Sequence, residues 1–281
     1  MKLRLAIFDL YDRYPNKGLA NIKALIREFS QKEGLDLQFE VFDVRAKQEV
    51  PDLNFDFYLA TGGPGSPLES EGSDWEAVYF RSLDAILAHN RQPDVVAKPL
   101  FMICHSFQLF CRYYRFGEVS ARRSESFGLY PVRRTPESAG EPFFEGLPER
   151  FWIADFRKFQ VLKLNREKLE RWGGRLLCLE KKRPHVELEP AIMAIRFNDW
   201  VFGTQFHPEA EAEGMLYWFQ EEEKKQAIVE EHGQEKYEQM LTHLNDPDKL
   251  ALTYDTILPA FLRFSTRHIL RSYDSAPPKY V

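Results

Sequence analysis

The sequence predicts an α/β fold, in which an open, mainly parallel sheet carries helices on both faces and a helical C-terminal extension follows. Two observations support this prediction. Short apolar runs alternate with amphipathic helical patterns from residue 2 to about residue 115, and such alternation is typical of parallel sheets covered by helices. After Glu209 the sequence becomes helical in pattern and highly charged.

The first part of the chain contains alternating predicted strands and helices. Apolar runs predict strands over residues 2–10, 35–44, 55–63 and 98–104. Apolar positions spaced by three and four residues predict helices over 19–29, 75–90 and 105–115. In open sheets, ligands bind beyond the carboxyl ends of the strands. The loops TGGPGSP and ICHS, which follow two of these strands, are therefore candidate functional loops.

The middle of the chain has a different pattern. Between Glu118 and Asn198 the apolar runs are shorter and are separated by Pro, Gly and charged residues, which is typical of mixed or antiparallel strands. These predicted strands cover residues 127–135, 151–156, 174–182 and 191–197. WVFGTQFHPE, over residues 200–209, adds one more strand and a loop.

Composition excludes several classes of protein. The 281 residues are 44% hydrophobic and 29% charged, which suits a folded domain with a sizeable core. The net charge of −5 gives no general attraction to nucleic acids or anionic membranes. Three cysteines are too few for a disulfide framework, and neither a signal pattern nor a membrane-spanning run is present. We therefore expect a cytoplasmic protein.

Cys104 is the first candidate for chemistry. It stands where an apolar strand meets a helix, and a strand–turn–helix junction can expose a nucleophile at the top of a sheet. The N-terminus of the helix favours a thiolate there. The alternative is a buried, inert cysteine, which is the interpretation we give to Cys111 and Cys178.

His207 and Glu209 form the second candidate, within the string QFHPE. Pro208 favours an extended backbone before it, and alternate residues of an extended segment point to the same side. The Glu209 carboxylate can therefore orient the His207 imidazole as in a catalytic base. Taken alone, the same three residues could equally form an ordinary surface loop.

TGGPGSP, residues 61–67, is the third candidate. Its three glycines leave the backbone open to approach, so its N–H groups could bind a developing oxyanion. It lacks the Lys-Ser/Thr of a phosphate-binding P-loop and the spacing of a dinucleotide fingerprint. A simple turn is the other alternative.

In order and spacing, the three motifs together resemble those of the class I glutamine amidotransferases and their peptidase relatives. The matching strings are GGPGSP at 62–67, PLFMICHSFQ at 99–108 and GTQFHPE at 203–209. The glutaminase domain of GMP synthase is the most similar type, and γ-glutamyl hydrolases are related to it. The resemblance implies a flavodoxin-like sheet over residues 1–209, closed by a final helix around Leu258–Phe264.

The resemblance also implies a reaction. Cys104 would attack the side-chain amide of glutamine, form a thioester and release ammonia. His207 would act as general base and acid, with Glu209 orienting it, so that the three residues form a triad. No cofactor and no metal are implied.

The same resemblance implies roles in the substrate pocket. The backbone N–H groups of Gly63 and His105 would form the oxyanion hole. Gln108 and Gly65 would lie beside the bound glutamine or γ-glutamyl compound.

Two departures from the family pattern affect the pocket. Ser106 replaces the usual glycine of Cys-x-Gly-x-Gln, and we interpret it as tolerated strain that could alter the pocket floor. In residues 151–161, Asp155, Arg157 and Lys158 replace a Ser/His motif that holds the glutamine backbone groups in many members. An Arg or Lys there could bind a carboxylate, or the segment could be a solvated charged turn.

The predicted domains are an amidotransferase-like domain, 1–209, and a helical extension, 210–281, that packs on it. The stretch from Ala210 to about Leu250 is longer than usual and contains EEEKK and EKYEQ. It could be a solvated helix pair, or a lid or partner surface beside Glu209. Met215, Leu216, Trp218 and Phe219 within it require burial.

The sequence therefore predicts a glutamine amidotransferase that releases ammonia for an acceptor on a separate chain. It contains no ATP-binding Ser-Gly-Gly-x-Asp-Ser motif, and this is compatible both with a separate acceptor chain and with a stand-alone hydrolase. A separate synthetase subunit is the expected partner, with neither nucleic acid nor membrane. The alternatives are a stand-alone γ-glutamyl peptide hydrolase with the same triad and a non-catalytic regulatory or binding member of the family.

Overall fold

The computed structural model describes residues 2–14, 17–181 and 189–274. Lys182, at the end of a predicted strand, and the last seven residues of the predicted extension lie outside these ranges. The described residues form strands β1 Lys2–Asp9, β2 Asp36–Asp43, β3 Phe57–Ala60, β4 Leu100–Ile103, β5 Glu118–Arg134, β6 Arg150–Leu162, β7 Arg175–Glu180, β8 Ile192–Arg196 and β9 Val201–Thr204. Their helices are α1 Gly18–Glu33, α2 Val44–Lys47, α3 Asp74–Asn90, α4 His105–Tyr113, α5 Arg166–Arg171, α6 Ala212–Gln220, α7 Glu222–His232, α8 Gln234–Leu244 and α9 Leu250–Asp274.

All nine of these strands belong to one mixed sheet, in the order β2-β1-β3-β4-β9-β8-β7-β5-β6. The first five strands in that order pair in parallel, and the remaining pairs are antiparallel. β3, β4 and β9 are buried at every position, as expected for the centre of a parallel sheet covered on both faces. The parallel part brings the carboxyl ends of β1, β3, β4 and β9 to one edge.

Helices cover both faces of the parallel part. Leu5 and Ile7 of β1 face one core with α1 and α9, whereas Ala6 and Phe8 face a second core with α3 and α4. This division follows from the alternation of side chains along a strand. The predicted open α/β sheet with helices on both faces is therefore confirmed, and the mixed strands predicted between Glu118 and Asn198 form its antiparallel part.

β5 and β6 are longer than the sequence predicted. They form an antiparallel ribbon with a shift in register between Ala121 and Ser126. The first half of β5 is mostly exposed or half-buried and carries polar side chains. An exposed ribbon needs no apolar run, so hydrophobicity alone could not predict it.

The helices after Glu209 pack in two places. Residues of α6, α7 and α8 form a third hydrophobic cluster with Leu129 of β5 and Ala154 of β6. This cluster buries Phe219 and contacts Met215 and Leu216. The first residue of α9, Leu250, still belongs to this third cluster. From Ile257 onward α9 packs in the first core, where the ring of Phe261 lies 5.2–6.2 Å from the rings of Phe57, Phe101, Phe143 and Phe202. No helix in the described ranges is both long and apolar enough to cross a membrane.

Candidate active site

Cys104 occupies a strained turn between β4 and α4. Its φ of 49° and ψ of −99° are unusual for a residue with a side chain, and such strain is concentrated at functional sites. The turn is fixed on both sides, because the Cys104 N–H donates to the Thr204 carbonyl at 2.7 Å and its carbonyl accepts from Gln108 N at 2.9 Å. Cys104 is therefore a buried side chain held at the N-terminus of a helix.

Ser106 lies directly beneath this turn and is fully buried. Its hydroxyl accepts from the Ile103 N–H at 2.8 Å and lies 3.0 Å from the Ala60 carbonyl and 2.9 Å from the Ile103 carbonyl. Ile103 ends β4, and Ala60 ends the adjacent β3. The side chain that replaces the family glycine thus satisfies backbone groups where two strands end.

His207 and Glu209 form a short ion-paired contact beside Cys104. The His207 Nδ1 lies 2.7 Å from Glu209 Oε1, and the Glu209 side chain is 1% exposed. The His207 N–H also donates to the Ala154 carbonyl of β6 at 3.1 Å. This contact fixes the loop after β9 against β6 and orients the imidazole.

The electrostatics around His207 favour its protonated form. Burial opposes the charge, but the Glu209 carboxylate and the Cys104 group, which is within hydrogen-bonding reach, together raise the pKa of His207 well above its ordinary value. An imidazolium can stabilise a thiolate and protonate a leaving group. The structure therefore brings together the three residues that the motifs singled out.

Tyr11 also belongs to this cluster, although the sequence analysis did not identify it. Burial, followed by the charges of Glu209 and Cys104, raises the pKa of the Tyr11 phenol well above its ordinary value, so the phenol stays protonated. The one available signal was its position two residues after β1, at the sheet edge where β4 and β9 also end.

The loop after β3 passes directly over the cluster. A Cβ on Gly62 would lie 2.9 Å from His207 Cε1 and 3.6 Å from Cys104 Cβ. A Cβ on Gly63 would lie only 2.4 Å from the Leu10 carbonyl oxygen, so a side chain there would displace the backbone. Both glycines are therefore needed for the close approach of this loop.

Hydrogen bonds fix the orientation of the peptide groups in this loop. The Thr61 hydroxyl donates to the Gly62 carbonyl at 2.7 Å and accepts from the Leu10 N–H at 2.9 Å. Since the C=O and N–H of a trans peptide point in opposite directions, the Gly63 N–H points away from Thr61. Gly65, which was expected near the substrate, has a φ of 88° and would place a Cβ 3.7 Å from Arg45 Nη2.

His105 and Gln108, the remaining predicted site residues, are both buried on α4. Burial, followed by the charges of Arg45 and Arg112, lowers the pKa of the His105 side chain to about 3, so the ring is neutral. The Gln108 amide donates to the Phe159 carbonyl of β6 at 3.1 Å and lies 3.4 Å from Gln205 Oε1. Its side chain therefore connects α4 to β6.

The three charged residues of β6 that the sequence analysis considered, Asp155, Arg157 and Lys158, contact other protein side chains. Arg157 Nε donates to both carboxylate oxygens of Asp155 at 2.8 and 3.0 Å, and both side chains are buried. Asp155 also accepts from the Ser126 hydroxyl at 2.6 Å. Lys158 is 72% exposed and lies 3.6 Å from Glu125. This arrangement favours structural roles for Asp155 and Arg157 over binding of a substrate carboxylate.

Comparison with known proteins gives structural relatives only. No protein-family model matches the chain, and no curated protein matches its sequence. The chain is similar in structure to a glutamine amidotransferase from Thermotoga maritima, with a TM-score of 0.66 and 16% sequence identity. The superposition covers 94% of this chain and 98% of the Thermotoga chain.

Two further relatives are parts of synthetases by name. A protein from Thermoplasma acidophilum, named as a putative subunit of GMP synthase, has a TM-score of 0.52 and 17% identity over 75% of this chain and 86% of its own. The glutaminase domain of CTPS from Trypanosoma brucei, solved with bound acivicin, has a TM-score of 0.54 and 13% identity over 74% and 86% of the two chains. At such identities the similarity establishes a shared fold. The chain therefore has the class I glutamine amidotransferase fold, as its three motifs predicted.

Proposed function

We propose that this chain is a glutamine amidotransferase that hydrolyses the side-chain amide of glutamine through a thioester on Cys104. One observation carries the proposal: a buried, strained cysteine at a helix N-terminus lies beside a histidine that a buried glutamate orients at 2.7 Å. This is the arrangement of a nucleophile, a base and an orienting carboxylate.

The proposed reaction begins with attack of the Cys104 thiolate on the amide carbon of glutamine. The resulting oxyanion is stabilised by the N–H groups of Gly63 and His105, and His207 donates the proton with which ammonia leaves. A water molecule, deprotonated by His207, then attacks the thioester. Glutamate leaves, and the thiolate of Cys104 is regenerated.

We further propose that a separate chain accepts the ammonia. The name of one structural relative, a putative subunit of GMP synthase, favours such a partner. Two exposed apolar side chains offer surface for a partner: Leu68, directly after the loop of residues 61–67, is 39% exposed, and Tyr217 of α6 is 70% exposed.

Ammonia release from glutamine tests the proposed function. We expect release by the wild type and by Cys111→Ala, because Cys111 is buried on the same helix and belongs to the second core. Cys104→Ala should be slower by at least about 10³-fold, because removing a nucleophile abolishes covalent catalysis. A Cys104→Ala protein with the wild-type rate would contradict the proposal.

The same variants distinguish the related hydrolase. γ-Glutamyl peptides are assayed in parallel, with release of the amine as the readout. Faster turnover of a peptide than of glutamine, with the same dependence on Cys104, would indicate a γ-glutamyl hydrolase instead. A wild type that turns over neither substrate and forms no adduct on Cys104 would indicate a non-catalytic member of the family.

A further inference from the structure

Arg45 contacts the loop of residues 61–67, which carries the Gly63 N–H, although none of the three motifs includes Arg45. It lies in α2, after β2, and its side chain is 16% exposed. Its Nη1 donates to the Pro64 carbonyl at 2.6 Å and lies 3.4 Å from the Leu10 carbonyl. One guanidinium group therefore connects the ends of β1, β2 and β3.

These two carbonyls flank the backbone of Gly63. The Leu10 oxygen packs against Gly63 so closely that a Cβ there would lie 2.4 Å from it. The Pro64 carbonyl belongs to the next residue, and the Thr61 hydroxyl holds the Gly62 carbonyl on the other side. Hydrogen bonds therefore hold a carbonyl group on each side of Gly63, that of Gly62 through Thr61 and that of Pro64 through Arg45.

Arg112 holds the same loop further along, but its charge is balanced. It donates to the Pro67 carbonyl and forms a buried ion pair with Glu76. The acidic neighbour of Arg45 is Asp12, at 3.5 Å and 45% exposed, so water screens that pair. Arg45 therefore combines a hydrogen bond to the residue after Gly63 with a positive charge that is only weakly balanced.

We infer that Arg45 is a positioning residue for oxyanion stabilisation, which holds the Gly63 N–H in place without contacting the substrate. The inference rests on the proposed function for the identity of the substrate. That Cys104 can be acylated with help from the Gly63 N–H is inferred from the geometry alone and does not depend on which substrate is used.

Two reactions of Cys104 distinguish a role of Arg45 in oxyanion stabilisation from an effect of Arg45 on the reactivity of the Cys104 thiol. Alkylation by iodoacetamide needs a thiolate but forms no oxyanion. Acylation by p-nitrophenyl acetate passes through a tetrahedral oxyanion and releases p-nitrophenolate as the thioester forms. The ratio of the acylation rate to the alkylation rate therefore reports how strongly the site stabilises the oxyanion, independently of the reactivity of the thiolate.

The variants are Arg45→Met and Arg45→Lys, with Arg4→Met as the matched control. The Arg45 guanidinium lies 5.1 Å from the centroid of the Trp75 ring, and that of Arg4 lies 4.3 Å from the centroid of the Phe55 ring. Arg4 also donates to a backbone carbonyl, that of Asn54 at 3.3 Å, but it lies near the start of β1, at the opposite end of the sheet. Mass spectrometry of each product confirms that Cys104 is the modified residue.

We expect the ratio to fall about 10–100-fold in Arg45→Met, less than the full loss of an oxyanion donor. The fall in Arg45→Lys should be smaller, because an ammonium can still donate to the Pro64 carbonyl. The Arg4→Met ratio should equal that of the wild type. With glutamine, Arg45→Met should lower kcat and leave KM within about threefold, as expected for an interaction made in the transition state.

An unchanged ratio in both Arg45 variants would overturn the inference, as would a parallel fall in both rates. If Arg45→Met does not fold, as judged by thermal unfolding, the ratio of the folded lysine variant decides. A wild type that is acylated on Cys104 but releases no ammonia from glutamine contradicts the proposed function and leaves this inference standing. A wild type that is not acylated on Cys104 overturns the inference as well.

Discussion

His207 lies between two groups that favour its charge, and burial opposes them. Because the Glu209 carboxylate and Cys104 outweigh burial, the pKa of His207 is raised in the folded protein. A group with a raised pKa contributes stability that is present below its ordinary pKa, about 6.5. That stability is lost as the pH rises through the raised value.

Glu209→Gln should therefore lower the pKa of His207, because the amide keeps the shape of the side chain and removes its charge. NMR titration of the imidazole measures this change. Glu213→Gln is the control, since it makes the same chemical change at an exposed position of α6. An equal pKa of His207 in the wild type and Glu209→Gln would show that Glu209 does not govern its protonation.

Which site residues could be predicted depended on whether a local string carried them. Cys104, His207 and Glu209 each stand in a short motif, so their sequence context was informative. Tyr11 follows β1 and Arg45 follows β2, and they reach the site because β1 pairs with β3 and β2 pairs with β1 in the sheet. Strand order depends on contacts between distant parts of the chain, so no local pattern in the sequence identified these two residues.

At the scale of elements, α6, α7 and α8 form a unit with its own hydrophobic cluster. Met240 is 1% exposed in that cluster, and Lys236 of α8 donates to the Tyr130 hydroxyl of β5 at 2.9 Å. α6 begins three residues after Glu209, and Lys17 lies 3.4 Å from the Gly214 carbonyl within it. The unit therefore covers β5 and β6 and borders the candidate site.

Met240→Ala should loosen this unit selectively, because truncation of a buried methionine costs about 2–5 kcal/mol. Amide hydrogen exchange should become faster in α6, α7 and α8 and stay unchanged in α9 from Ile257 onward, because that part packs in the first core. Gln239→Ala, at the exposed neighbouring position, is the control. Equal acceleration in α9 would show that the two parts unfold together.

The element boundaries show where sequence patterns are informative. The helices predicted over 75–90 and 105–115 correspond to α3 and α4. They could be predicted because each buries one apolar face, which repeats in the sequence with the period of a helix. The first half of β5 was not predicted, because its side chains are mostly polar and partly exposed. Its strand conformation comes from pairing with β6.

At the scale of the whole molecule, the sheet explains why the candidate site forms at this edge. The parallel strands place the Cys104 turn, the loop of residues 61–67 and the His-Pro-Glu loop at one end of the sheet, and the two cores pack on both faces of those strands. Phe261 of α9 contributes to the first core from the far end of the chain. The division into residues 1–209 and 210–281 remains a prediction, and α9 shares a core with the strands.

The central claim is that glutamine forms a thioester on Cys104. The most direct measurement is the intact mass of the protein after acid quenching during incubation with glutamine, followed by peptide mapping. We predict a gain of one glutamyl group on Cys104 and its complete absence in Cys104→Ala. Ammonia release by a wild type with no adduct under any quench time, or an adduct on Cys111 or Cys178 instead, would contradict the account.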